Sequence, residues 1–440
     1  MSAPFENMDF AREEVTKCMS CGNCQEVCPI YYETREEGSV ARGKIKLVDA
    51  LLKGMIDSNT PGLEHNLHLC LTCKACVEIC PCGVEIDKIV LAARSELVRQ
   101  EGLHPLKKII FNVVDRPFLM DTGMRLGGNF QGTVFKKEKK LGGYTPRFPF
   151  GLDMRRLVPA LADKPFRMSV PEKNPPIGPV KYRVAFFTGC SSNYMYSNIA
   201  YSLMNVMKYN NVEVIVPKAQ HCCGTPILSH GDQKTAKDMA VDHIKLFRNM
   251  DVDYIITVCG SCALSFVEHY PDLLEGTEYY EDAKKVAAKI MDWSDFLVNI
   301  VKADFSNLHT SKMVATYHDP CHLRRGIGVI EPPRYILKTL PDVDFREMKK
   351  PNRCCGSAGS FSLTHYDLSM QIQEEKFNDI EQTGANTVVT GCGSCIMQLK
   401  DGQNRFGGNL DIKHTVEILS EAYDDTARAE RVNRLQAMGK

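Results

Sequence analysis

Nineteen cysteines in 440 residues are the side chains best equipped for chemistry in this sequence, and their spacing sorts them into two repeated groups. "CMSCGNCQEVCP" carries Cys18, Cys21, Cys24 and Cys28, and "CLTCKACVEICP" carries Cys70, Cys73, Cys76 and Cys80 at the same intervals. Further along, Cys190 is followed after 31 residues by the adjacent pair Cys222 and Cys223, and after 35 more by Cys259 and Cys262. The order recurs: Cys321, then after 32 residues Cys354 and Cys355, then after 36 more Cys392 and Cys395. Thiolates are soft ligands for zinc and iron. Five of them exceed what one tetrahedral zinc accepts, and neighbouring cysteines reach a single ion poorly. They suit a multinuclear centre, whose adjacent metal atoms can be met from adjacent residues.

Both N-terminal runs read C-x2-C-x2-C-x3-C-P, the spacing of the bacterial ferredoxin loop around a cubane [4Fe-4S] cluster, in which the fourth cysteine reaches across to the other cluster. That rule assigns Cys18, Cys21, Cys24 and Cys80 to one cubane, and Cys28, Cys70, Cys73 and Cys76 to the other. Structural zinc sites use pairs of C-x2-C instead of triplets with a trailing C-P. Cys82 stands outside the pattern, as a spare buried thiol or a substitute for Cys80. Two clusters on neighbouring loops make an electron relay. "RGKIKLVDALL" reads as an amphipathic helix covering the first, with Arg42 near its charge.

The elements that must position the second group are legible as short β-branched runs. "YRVAFFTGC", "VEVIVPKAQHCC" and "DYIITVCGSC" each read as a buried parallel strand running into a cysteine loop. "KMVATYHDPC", a less regular segment ending in "NRCC", and "NTVVTGCGSC" repeat the order about 130 residues later, an internal duplication. Loops beyond the carboxyl ends of an open parallel sheet converge on one crevice, so loops bearing one, two and two thiols meet around a single centre. Gly224 and Gly356, after each pair, let the backbone approach closely. The expected fold is α/β: a helical two-cluster ferredoxin-like domain at 1–100, a helical connector and proline-rich linker at 101–180, and two duplicated α/β modules with parallel sheets at 181–300 and 301–440. The basic run "KKEKK" at 136–140 reads as a solvated loop. "IIFNVVDRPFLM" at 109–120 reads as an apolar helical stripe belonging to the core.

The repeated C-x31-CCG-x35-C-x2-C pattern resembles the cysteine-rich CCG domain of the heterodisulfide reductase family. That family includes the iron-sulfur subunits of glycolate, lactate and anaerobic glycerol-3-phosphate dehydrogenases. The resemblance covers nearly the whole chain. It implies one noncubane [4Fe-4S] cluster on Cys190, Cys222, Cys223, Cys259 and Cys262, and another on Cys321, Cys354, Cys355, Cys392 and Cys395, the two together cleaving a disulfide bound between them. It further implies that Cys222, Cys223, Cys354 and Cys355 stand at the reacting centre. Many dehydrogenase-type relatives lack some of these thiols, and this chain lacks none.

In "TYHDPCHLRRG", His318 and His322 flank Cys321 as candidate proton donors to a departing thiolate. The alternative has His318 and Asp319 capping a helix or hydrogen-bonding a cluster sulfur, and His221 has the same two readings. Arg324 and Arg325 offer a fork for a substrate carboxylate or phosphate, or else lie on the surface.

Lysine plus arginine equals aspartate plus glutamate, 54 each, so no basic field points to nucleic acid. The start "MSAPFENMDFAREEVTKC" carries no basic and apolar leader and predicts a cytoplasmic chain. No stretch is long and apolar enough to span a bilayer, so membrane association is expected on the cytoplasmic face and through a partner. No G-x-G-x-x-G follows a strand, so flavin or nicotinamide chemistry is expected from a partner. Two functions fit: reduction of a disulfide to two thiols within a redox complex, or electron transfer toward quinone from a flavin-dependent lactate, glycolate or glycerol-3-phosphate dehydrogenase. A flavoprotein or a membrane cytochrome b is the expected partner. Zinc-stabilised interaction modules are a third, weaker reading.

Overall fold

The computed structural model describes residues 8–149 and 151–437, with backbone alone from 430 onward; residues 1–7, on which the reading of the N-terminus partly rests, lie outside the described residues. The N-terminal hundred residues are short helices hung between cysteine loops, closed by the longer helices Ala41–Leu52 and Ile86–Glu101. Helix Ile86–Glu101 is buried nearly all round, with Ile89 through Ser95 an unbroken buried run, so it serves as the central helix on which the helices flanking the cysteine loops pack.

Helices Pro105–Asp115 and Pro117–Val134 follow, each opened by a proline, whose missing N–H costs nothing in the first turn. Strands β1 (Phe135–Glu138), β2 (Gly143–Pro146) and β3 (Val158–Pro159) then make a small antiparallel sheet. This corrects the reading of "KKEKK" as a loop: Lys136 and Lys137 belong to β1, paired with Thr145 and Tyr144 of β2. The strand lies at the sheet edge, where exposed lysines discourage further pairing.

The first module carries β4 (Lys173–Asn174), β5 (Tyr182–Phe187), β6 (Val212–Ile215), β7 (Tyr254–Thr257) and β8 (Ile290–Asp292), in the order β4-β6-β5-β7-β8. All pairings are parallel except β4 with β6. The second carries β9 (Met313–His318), β10 (Val343–Phe345), β11 (Thr387–Thr390) and β12 (Asp411–His414), all parallel, in the order β10-β9-β11-β12. In each module the chain steps from the first strand (β5, β9) to a neighbour on one side and returns to the other. This reversal opens a crevice at the carboxyl ends, the usual place for a ligand in such sheets.

The connector is a strap holding both modules. Arg156 forms a fully buried ion pair with Asp401 of the second, 3.1 Å apart. Arg167 donates to the carbonyls of Lys218 and Gln220 in the first. The modules also touch directly: helix Ser197–Tyr209 lies along the terminal helix Thr415–Ala437, with Tyr209 stacked on Tyr423 at 5.0 Å.

Candidate functional site

The cysteines gather around three cavities. Cys18, Cys21, Cys24 and Cys80 line the first, with Cys76, Cys82 and Arg42. Cys28, Cys70, Cys73 and Cys76 line the second, with Lys44, Lys74 and Asp87. The crossing of Cys28 and Cys80 between the two runs follows from the helix that each run starts. Left-handed residues Ser20, Thr72 and Lys74 wind the loops so that backbone N–H groups face sulfur, as Thr72 does toward Cys70 Sγ at 3.4 Å. Helix Ala41–Leu52 covers both sites, and Arg42 pairs with Glu37.

Charge distinguishes the two. Lys44 and Arg94 are 2% and 3% exposed, and among the described residues neither pairs with a carboxylate. Lys44 donates to Ser39 O, and Arg94 to the carbonyls of Leu67, Cys70 and Ser229. Burial lowers the pKa of both, and the nearby cysteines oppose that shift. An uncompensated buried cation is costly, so an anionic cluster on the second four thiols fits the donor set. Lys74, by contrast, is neutralised by Asp87 and Glu268 at 2.8 and 2.7 Å.

The third cavity, about 970 Å³ with its open mouth included, is lined by all ten remaining cysteines. Cys190, Cys222, Cys223, Cys259 and Cys262 come from the loops after β5, β6 and β7. Cys321, Cys354, Cys355, Cys392 and Cys395 come from those after β9, β10 and β11. Across the module boundary Cys259 Sγ and Cys392 Sγ are 3.9 Å apart. Glycines permit the closeness: a Cβ on Gly260 would stand 2.6 Å from Leu323 N, and one on Gly393 would meet Ser191 Oγ at 2.0 Å. Every one of the nineteen thiols is free. Leu71 and Thr72, between two cysteines of the second N-terminal run, also line this cavity, so the second and third cavities share a wall.

Sequence reasoning missed Gln220. Its buried amide accepts from Thr188 N at 2.8 Å and donates to Phe186 O and Pro217 O at 3.0 and 2.9 Å, tying the paired-cysteine loop to the end of β5. A buried glutamine just before "HCC" was the available signal.

The histidines separate. His322 lines the ten-thiol cavity. It lies 2.9 Å from Ser261 Oγ through Nδ1 and donates from Nε2 to Thr72 O at 3.0 Å, joining the two modules and the N-terminal domain. His318 does not line the cavity. It is 1% exposed with neither ring nitrogen hydrogen-bonded, behind Cys355 and Cys395, whose sulfurs lie within 4.8 Å of it. Burial, with Lys376 adding to it, pushes its pKa down to about 3. The matching residue of the first module is Phe187. His221 donates from Nδ1 to Cys222 O at 3.1 Å and packs on His243 at 4.1 Å.

Asp319 caps no helix and binds no sulfur. It is held by Arg334 at 2.7 Å and Arg324 at 3.0 Å. Arg324 and Arg325 lie neither at the ten-thiol cavity nor free on the surface. Arg325 bridges Glu78 to Asn352 O and Cys73 O, and both arginines join the second module to the N-terminal domain. A fourth cavity, lined by His65, His68, His230, His365, Lys107 and Arg94, shares Leu71, Thr72, Ser229 and Ala358 with the ten-thiol cavity. Burial, then Arg94, pushes the His68 pKa down to about 2.

Cys82→Ser is expected to leave the iron content unchanged and Cys80→Ser to remove one cluster's worth, about four irons. Iron analysis after anaerobic purification checks this, and a Cys80→Ser chain that keeps its iron identifies Cys82 as the replacement thiol.

Comparison with known proteins agrees with this arrangement. The CCG cysteine-rich domain profile matches residues 184–267 and 315–400, and the 4Fe-4S dicluster domain profile residues 14–84. The chain is 31% identical over 427 residues to the probable glycolate oxidase iron-sulfur subunit of Bacillus subtilis, covering 95% of each chain. It is 25% identical to a component of the dihydromethanophenazine:CoB–CoM heterodisulfide reductase of Methanosarcina acetivorans, covering 93% of this chain and 94% of that one. It is 27% identical to a component of the CoM/CoB fumarate reductase of Methanothermobacter marburgensis, covering 93% and 72%. The chain thus belongs to the family of iron-sulfur oxidoreductase subunits that join a 4Fe-4S dicluster domain to two CCG cysteine-rich domains.

Proposed function

We propose that this protein passes electrons through two cubane [4Fe-4S] clusters to two noncubane [4Fe-4S] clusters, where a disulfide takes up two electrons and two protons and leaves as two thiols. The observation that carries this reading is the single cavity lined by both complete sets of five thiols, with Cys259 and Cys392 meeting across the module boundary. Cys18, Cys21, Cys24 and Cys80 hold the first cubane, and Cys28, Cys70, Cys73 and Cys76 the second. Cys190, Cys222, Cys223, Cys259 and Cys262 hold one noncubane cluster, and Cys321, Cys354, Cys355, Cys392 and Cys395 the other. The clusters supply one-electron chemistry to the cavity that these thiols line.

The residues of the chain do the rest. The loop of Leu71 and Thr72 brings the second N-terminal site against the cavity. His322 fixes that contact through Thr72 and stands at the wall, where its ring faces a departing sulfur. Arg94 and Lys107, in the adjoining cavity that Glu64 also lines, suit an anionic end of the substrate.

The test is spectroscopic. Anaerobically purified protein, oxidised and mixed with a panel of thiols, is expected to give a thiol-dependent paramagnetic signal that Cys223→Ser or Cys355→Ser abolishes. Silence across the panel rules the reading out.

A second reading rests on the similarity to the glycolate oxidase protein along 95% of both chains. In it a partner flavoprotein oxidises a 2-hydroxyacid, and this chain carries the electrons toward quinone on the cytoplasmic face of a membrane, beside a cytochrome b. Cluster reduction by lactate or glycolate in the co-purified complex, without any thiol signal, decides for it.

A further inference from the structure

Helix Pro117–Val134 is built inside out. Toward the protein it turns Asp121, which accepts from Tyr194 and Arg167 at 2.7 and 3.1 Å. The same side carries Gly127 and Gly128, packed against Leu161, and Gln131, which bonds Pro159 O and Leu161 N. Toward solvent it turns Phe118, Leu126 and Phe130, which are 79%, 53% and 62% exposed. Leu126 follows Phe118 by eight residues and Phe130 follows Leu126 by four, so the three share one broad face. Gln131 is the only buried residue of the helix. The preceding helix, Pro105–Asp115, adds Leu106, Ile109 and Ile110, at 60%, 64% and 48% exposure. The assignment of "IIFNVVDRPFLM" to the core holds for Phe111, which is buried, and for Val114, which packs against the core, and is corrected for Ile109, Ile110 and Phe118, which face solvent.

Single exposed apolar side chains are ordinary, but a contiguous set on two packed helices marks an interaction surface. Charge identifies its occupant. The chain is neutral overall, yet residues 105–147 hold nine Lys and Arg against three Asp and Glu. Lys108 and Arg125 are exposed on the two helices, and Lys136, Lys137, Lys139 and Lys140 in and after the adjoining strand β1. Aromatic and aliphatic residues on one face with lysines beside them are the signature of a helix lying in a membrane interface, and the basic residues complement anionic headgroups. No helix among the described residues is long and apolar enough to cross a membrane, so a lipid contact by this hairpin would run along the interface plane.

We propose that the hairpin 105–134 and the basic strand beside it dock the protein directly on an anionic lipid bilayer, with Phe118, Leu126 and Phe130 inserted below the headgroups. This contact needs no partner protein and holds for either function above.

Sedimentation of the purified, iron-loaded protein with vesicles tests it. Vesicles of mixed phosphatidylglycerol and phosphatidylcholine are expected to carry the protein down, and phosphatidylcholine vesicles at least tenfold less. Phe118→Ser/Leu126→Ser/Phe130→Ser, with unchanged iron content and melting temperature, is expected to lose binding at least tenfold. Lys136→Gln/Lys137→Gln is expected to lose about fivefold per charge. Wild-type protein that stays in the supernatant with anionic vesicles overturns the proposal, as does a triple serine variant that binds as well as wild type. A wild-type dimer that the triple variant dissociates overturns it in favour of a contact between two copies of the chain.

Discussion

Gly356→Ala is expected to destabilise the second module by several kcal/mol and release its iron, whereas Gly224→Ala, the equivalent change in the first, is expected to be mild. Both glycines follow a paired-cysteine motif with positive φ, +85° and +78°, and an alanine in that conformation costs about 1–2 kcal/mol. The two differ in what a methyl group meets. At Gly224 the nearest atoms are Met239 Sδ at 3.7 Å and Ala236 Cα at 3.8 Å, ordinary contacts. At Gly356 the Cβ would stand 2.6 Å from the carbonyl oxygen of Ser369, a backbone atom of a long helix. Ser369 Oγ also donates to Gly356 O at 2.9 Å, which holds the two segments together. Forcing them apart adds about 1–3 kcal/mol, as overpacking usually does, and moves Cys354 and Cys355 with it. Anaerobic urea unfolding with iron analysis of each variant measures both effects. Equal losses for the two glycines would show that backbone conformation, and not the approach of Ser369, sets the cost.

Lys44→Met and Arg94→Gln are expected to lower the reduction potential of the cluster proposed on Cys28, Cys70, Cys73 and Cys76 by about 60 mV or more each, one decade for a one-electron couple. These cations are buried beside Cys28, Cys70 and Cys76 without a carboxylate partner among the described residues, so their field acts on the site with little screening. The only cation among the described residues lining the first N-terminal site is Arg42, paired with Glu37 and open to solvent. With clusters on both sites, this charge difference is expected to draw electrons from the first site to the second, which adjoins the ten-thiol cavity. Redox titration followed by paramagnetic resonance reads the shift, with Arg42→Gln as the control expected to change little. If Lys44→Met leaves the second potential in place, the charge difference between the sites does not set the order.

Strands β5, β6, β7, β9 and β11 and the convergence of the cysteine loops were legible because a buried parallel strand is a continuous apolar run and these runs lead into thiols, whereas β10, with burial alternating over Val343–Phe345, showed only as a less regular segment before "NRCC". The last strand of each sheet, β8 and β12, was not legible. "IMD" and "DIKH" are too short and too polar to stand out from the helices around them. Strand β4 was hidden in a proline-rich stretch, since its pairing with Val214 and Ile215 depends on an edge that exists only once the sheet has formed. The roles of Asp319, Arg324 and Arg325 were misread for a related reason. A guanidinium offers the same fork to a substrate and to a carboxylate of its own chain, and only the fold brings Glu78 within 2.7 Å of Arg325. The outward stripe of helix Pro117–Val134 has the periodicity of a core helix, and periodicity does not say which side faces in. Gly127 and Gly128 held that information, because two adjacent glycines mark a face meant for close approach.

Duplication has not left the two modules alike. Ser191 and His322 follow equivalent cysteines and both line the shared cavity, one offering a small hydroxyl and the other an imidazole already committed to Thr72. Beneath them Phe187 answers to His318. A molecule lying between the modules therefore meets a different surface at each end, and one with unlike halves has a preferred way round: the cavity is handed, although the repeat that built it is not.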